Sequence, residues 1–137
     1  MEEMKGILAI LMMVGLLAPS AFATPPAHQS ATWTAKMKVP THRPKAREKW
    51  PVKIVVKTAS GRRLRGTVQY HFLFAGQVVA TQGCHKGRPD PCRFKRGVYR
   101  DVVRWPRRSA GYKLTFRATV KTKLGTKNLN WWVKVRR

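Results

Sequence analysis

The sequence predicts an all-β chain folded as a seven-stranded, antiparallel, two-sheet sandwich. Three observations lead there. Apolar and polar residues alternate with a period of two through most of the chain after residue 31. Turn-forming residues break that alternation at near-regular intervals. No stretch of the same region carries the 3.6-residue periodicity of an amphipathic helix.

Residues 67–81 hold the clearest pattern. Val68, Tyr70, Phe72 and Phe74 alternate with Thr67, Gln69, His71 and Leu73, which predicts a strand with one face on a core. Ala75-Gly76 is the turn, because glycine accepts the positive φ of a tight hairpin. A fourth strand follows at 77–81. Upstream, residues 32–39 predict a first strand with Trp33, Ala35, Met37 and Val39 on one face, ended by Pro40. Residues 50–58 predict a second, with Val52, Ile54 and Val56 inward. Residues 83–97 read as one long loop rich in Gly, Pro and basic side chains. A fifth strand over 98–105 leaves open whether Val102 or Val103 faces in. The sixth, 112–121, places Tyr112, Leu114, Phe116, Ala118 and Val120 inside. The seventh, 128–136, does the same with Leu129, Trp131, Val133 and Val135. Tyr70, Phe72, Leu114, Phe116, Trp131 and Val133 form the expected core.

The N-terminus reads as an export signal over residues 1–23. Residues 7–17 form an apolar run too short to span a bilayer, and Ala21-Phe22-Ala23 supplies the small-x-small pattern before a cut at Thr24. Glu2 and Glu3 precede Lys5, so initiation at Met4 would give the expected basic start. Residues 24–31 form a flexible, proline-containing linker, and residues 32–137 a single domain. No transmembrane segment is expected in the mature chain, which is placed outside the cell or at its surface. In that oxidising setting Cys84 and Cys92 are expected to form a local disulfide, worth about 2.5 kcal/mol for so short a loop. A zinc site using His85 would fall short of a closed ligand set.

Twenty-nine lysines and arginines face five acids in 137 residues, a formal net charge of +24. Loss of Glu2, Glu3 and Lys5 with the leader raises the excess by one. Only Glu48, Asp90 and Asp101 then remain as acids. Such an excess exceeds what solubility requires and points to an anionic partner. The carboxylates lack the pairing of a hydrolytic site, the histidines lack metal-ligand spacing, and no glycine-rich phosphate loop follows a strand. No enzyme activity, cofactor or metal is therefore expected.

Ser109-Ala110-Gly111-Tyr112-Lys113-Leu114 resembles the corner before the sixth strand of immunoglobulin-like domains, with Tyr112 at the tyrosine position. Leu114 stands where antibody-type domains carry a cysteine. Residues 32–136 are similar to small exported bacterial proteins with an immunoglobulin-like or fibronectin-III-like domain. The resemblance implies an immunoglobulin-like sandwich with a binding or structural role, and a Tyr112 hydroxyl bonded back to the corner.

The resulting expectation is a non-catalytic binding module that holds an anionic polymer: wall polymer, acidic polysaccharide, lipid headgroups or extracellular nucleic acid. Alternatives are an adhesive accessory protein with a protein partner, and a cationic antimicrobial factor. Strand order gathers the 60–66, 83–97 and 121–127 loops at one pole. That pole offers Arg62, Arg63, Arg65, Lys86, Arg88, Arg93, Lys95, Arg96, Lys123 and Lys127. A second candidate surface is the outer sheet face with His71, Lys113, Arg117, Trp132, Lys134 and Arg136. Lysines and arginines on outer strand faces can also serve only as solvated cover that deters edge pairing.

Overall fold

The structure is a computed structural model that describes residues 32–84 and 88–137. The leader and linker, together with His85 and Lys86, lie outside the described residues. Among the described residues eight strands form two antiparallel sheets. They are β1 (Trp33–Lys38), β2 (Lys49–Thr58), β3 (Gly66–Phe74), β4 (Gln77–Gln82), β5 (Cys92–Phe94), β6 (Val98–Arg104), β7 (Lys113–Thr122) and β8 (Gly125–Lys134). A single 3-10 turn at Arg107–Ser109 joins β6 to β7. The smaller sheet has the order β1-β2-β6. The larger has the order β4-β3-β7-β8, with β5 also paired to β3.

The sandwich stands, but its strand count is eight, not seven. The extra strand is β5. Phe94, Arg93 and Cys92 face Gly66, Thr67 and Val68, whereas β4 faces the other half of β3, from Tyr70 to Phe74. β4 and β5 are thus two pieces of one edge. Gln82 sits opposite Tyr70 and Cys92 opposite Val68, so the chain leaves the ladder after Gln82 and rejoins it at Cys92. The Cys84–Cys92 disulfide closes this excursion, with Cα atoms 5.0 Å apart. Inside it, Gly83 N–H donates to the Arg88 carbonyl at 3.0 Å, and Gln69 Nε2 donates to the Pro89 carbonyl. Gly83 is required here: a Cβ on it would collide with the Asp90 carbonyl.

Each sheet turns one face inward. Trp50, Val52, Ile54, Val56, Val103 and Trp105 come from the smaller sheet and its β6 extension. Val68, Tyr70, Phe116, Ala118, Val120, Val133 and Val135 come from the larger. Aromatic rings fill the middle. Trp50 meets Phe116 edge-on at 5.2 Å and Trp105 at 5.4 Å; Tyr70 lies 4.9 Å from Phe116. The choice on β6 falls to Val103, which is buried, while Val102 stays exposed because period two already commits Trp105 inward.

The period-two reading fails at the end of β3. Phe74 is 46% exposed and Leu73 is buried, the reverse of expectation. The register jumps between Phe72, opposite Ala80, and Leu73, opposite Val78, leaving Val79 unpaired. A bulge of this kind adds twist and re-aims the side chains beyond it. All of β4, the edge strand of this sheet, is exposed. The Ala75-Gly76 turn holds, with φ of 48° and 79°, both positive as a primed hairpin turn requires.

The β1–β2 connection does more than link. It lies along the free edge of β8: Lys134 N–H donates to His42 O and Arg136 N–H to Pro44 O, each at 2.8 Å. The His42 ring stacks on Trp131 at 3.9 Å and on Trp132 at 4.0 Å, and its Nδ1–H donates to the Trp132 carbonyl at 2.6 Å. This covers the C-terminal end of the β8 edge against pairing with another strand.

Candidate functional site

At one end of the sandwich three connections meet, and backbone contacts stitch them together. Leu64 N–H donates to Val56 O at 3.2 Å, and Val56 N–H to Gly97 O at 2.7 Å. The backbones of Lys57 and Arg63 pair as an isolated antiparallel β-bridge. Gly66 faces both Phe94 and Thr122. Glycine is needed at that crossing, since a Cβ on Gly66 would strike the Lys121 carbonyl. Gly97, at φ +68°, lies so near the β2–β3 connection that its Cβ would stand 2.8 Å from that of Arg63.

This end carries Arg62, Arg63 and Arg65 from the β2–β3 connection, Lys95 and Arg96 from the β5–β6 turn, and Lys123 from the β7–β8 turn, all exposed. Lys127 is here too, its Nζ 5.0 Å over the Trp33 ring. The expected pole therefore gathers most of its members, with two corrections. Arg88 belongs to the excursion beside Gln69, part-way along the edge of β3, because β4 stops at Gln82 instead of running to the pole. Arg93 lies on β5, in a register row with Thr67 and Lys121.

That row joins the two candidate surfaces. Thr67 and Lys121 stand on the outer face of the larger sheet, where the next positions are Gln69, Thr119 and Asn128, then His71, Arg117 and Asn130. Short polar contacts order these rows. Arg117 Nε donates to Asn130 Oδ1, and Thr119 Oγ1 to Asn128 Oδ1, each at 2.8 Å; His71 Nδ1 lies 3.0 Å from Thr81 Oγ1. Partial burial, then the facing Arg117, hold the His71 pKa below the ordinary imidazole value. Lys113 and Lys134 face each other at the far end of the sheet. Trp132 is 45% exposed, with Lys113 Nζ 5.5 Å over its ring and His42 stacked against it. Arg136 does not belong to this face. It lies beyond β8, its Nε donating to Arg43 O at 3.1 Å.

Along β7 the outward cations Lys121, Arg117 and Lys113 follow every four residues, roughly 13 Å apart at strand rise. Among the described residues the one ion pair is Lys45–Glu48 at 3.3 Å. Asp101 is committed to the protein itself, accepting from Tyr99 OH at 3.2 Å and Val102 N–H at 2.7 Å. Burial, then the charge of Asp101, push the Tyr99 phenol up to about 12. Burial, with Tyr99 and Asp101 adding to it, raises Tyr70 further still.

The sequence reading missed a second basic cluster. At the opposite end, Lys45 and Arg47 from the β1–β2 connection meet Arg107 and Arg137 around a depression of about 420 Å³. Arg47 N–H donates to Trp105 O and Ala46 N–H to Arg136 O, both at 2.8 Å. The only sequence signal was the basic character of residues 41–49. The tyrosine corner is also corrected. Tyr112 is 54% exposed and edge-on to Phe74 at 5.8 Å. Ser109 closes the corner instead, its hydroxyl donating to Pro106 O at 2.6 Å. The β7–β8 ladder ends at Lys113, so Tyr112 stands past the covered core.

No protein-family model matches this chain, and no curated protein matches it either. Among solved structures, an engineered protein crystallised at 1.98 Å aligns with a TM-score of 0.47 and 18% identity, over 76% of this chain and 20% of that one. The chain thus spans about a fifth of the length of that protein.

Proposed function

We propose that this protein is an exported, non-catalytic module that holds an extended anionic polymer along the track of cations running from the three joined turns onto the outer face of the larger sheet. The observation that carries the reading is the meeting of the two surfaces at one register row. Arg93 and Lys121 flank Thr67 on the outer face that also carries Arg117, next to the turns that hold Arg63 and Arg96, and none of the five is in an ion pair among the described residues. Cations left unneutralised on a rigid scaffold bind polyanions by releasing condensed counter-ions. The module is of the immunoglobulin-like or fibronectin-III-like kind. What supports this is the division of strands, with the first, second and sixth in one sheet and the third, fourth, seventh and eighth in the other.

The test is binding to an anionic polymer across a salt series, with Arg62, Arg63, Arg93 and Arg96 changed to Gln. The slope of log K against log salt should shrink by roughly one unit for each phosphate that is no longer neutralised. Changing Lys113, Arg117 and Lys121 to Gln should shrink it as well, since one ligand spans both surfaces. An unchanged slope in either variant would refute the continuous track.

A further inference from the structure

The two sheets are open along one side, where β4 edges the larger sheet and β6 the smaller. Near the end remote from the joined turns this opening becomes a groove of about 620 Å³. Its wall includes Phe72, Phe74, Val79, Trp105 and Tyr112, and its charged members are Arg104 and Arg108, with no acid among the lining residues. We infer that this groove binds a single-chain anionic amphiphile, a long-chain carboxylate with its tail between the sheets and its head on the two arginines.

Four observations converge on that ligand. The volume lies within the range of small-molecule sites. Phe74, Val79 and Tyr112, at 46%, 59% and 54% exposed, leave large apolar surface in water at one place. The Arg104 guanidinium is tethered. Its Nη1 donates to Arg47 O at 3.0 Å, and Arg47, at φ +68°, is fastened in turn by its N–H to Trp105 O. A guanidinium tethered through one N–H keeps the others for a carboxylate and has less freedom to lose on binding one. Finally, the Val79 bulge breaks the ladder of β4 beside the groove, so an added peptide strand could not hold register there. A concave slot also suits a single chain better than the flat face of a bilayer.

The proposal stands apart from the polymer reading, because its residues lie away from the joined turns. Titrate the full chain with dodecanoate below its micellar concentration, following tryptophan fluorescence and calorimetric stoichiometry, with dodecanol and acetate as comparisons. Dodecanoate should saturate at one per chain, bind about tenfold more tightly than dodecanol, and acetate should not bind. Arg104→Gln with Arg108→Gln should remove that advantage while leaving dodecanol binding intact. Phe74→Ser with Val79→Ser, both at exposed positions, should weaken both ligands. Arg62→Gln with Arg63→Gln should change neither. Equal affinity for dodecanol and dodecanoate, several ligands per chain, association with anionic vesicles alone, or indifference to the groove variants would each overturn the inference.

Discussion

Replacing Gly97 with alanine tests how firmly the joined turns are docked. Two costs arise. At φ +68° an alanine must hold a left-handed backbone, which costs about 1–2 kcal/mol. Its Cβ would also stand 2.6 Å from the Val56 carbonyl and 2.8 Å from Arg63 Cβ, and neither can move without breaking the contact between β2 and the β5–β6 turn. Crowding of that kind costs about 1–3 kcal/mol. Gly61 provides the control, since its φ is +88° but nothing lies within 4 Å of a Cβ there. Gly61→Ala should therefore show the backbone cost alone. With a urea m-value near 1.5 kcal/mol/M, Gly97→Ala should unfold roughly 0.7–2 M earlier than Gly61→Ala at unchanged m. Equal midpoints for the two variants would show that the turns are not packed together, and the continuous cation track would lose its scaffold.

Three further outcomes are expected. Cys84→Ser with Cys92→Ser should cost about 2.5 kcal/mol in urea melts while far-ultraviolet circular dichroism keeps the β signature, because the disulfide closes only the excursion. Ser109→Ala should cost about 1 kcal/mol through loss of the hydrogen bond to Pro106, whereas Tyr112→Phe should change the stability by less than about 0.5 kcal/mol. Tyr70 and Tyr99 are held neutral in the fold, with pKa values above the ordinary 10.0 of the unfolded chain. Their contribution to stability is complete below pH 10 and declines as pH rises toward 12 and beyond. Phenolate absorbance should show the Tyr99 step near pH 12, and Tyr99→Phe should flatten the fall in melting temperature above pH 10.

Strands were legible where one face is buried along its whole length. β7 shows this best, because Leu114 to Val120 meet the opposite sheet and their neighbours meet solvent. Edges were less legible. The bulge at Val79 depends on how β4 fits β3, and Val78-Val79 read alone gives no hint of which residue is unpaired. β5 is three residues long, too short for a period to show. Its pairing follows from the return of the chain to the β3 edge, which is a tertiary event. The turn pole was readable from strand order, since alternating directions fix which connections share an end. The cluster of Lys45, Arg47, Arg107 and Arg137 was not, because a long connection carries Arg47 across to Trp105. The tyrosine corner failed for a related reason: the motif matched in letters, but Ser109 was better placed to reach the Pro106 carbonyl.

The divided edge of β3 has a consequence for how this chain can vary. Gln82 and Cys92 occupy ladder positions two residues apart on β3, although nine residues separate them in the chain. Gly83 and Cys84 are fixed by the Asp90 carbonyl and the cystine, but the residues from 85 to 91 could be lengthened, shortened or rewritten without shifting the register of a single strand. The cystine limits the penalty, since it ties the base of the insert whatever its content, and loop entropy grows only slowly with length. The scaffold thus contains a socket for interchangeable sequence beside the outer sheet face. Relatives that differ in what they hold should differ most between residues 85 and 91, and a foreign peptide placed there should be displayed without disturbing the fold.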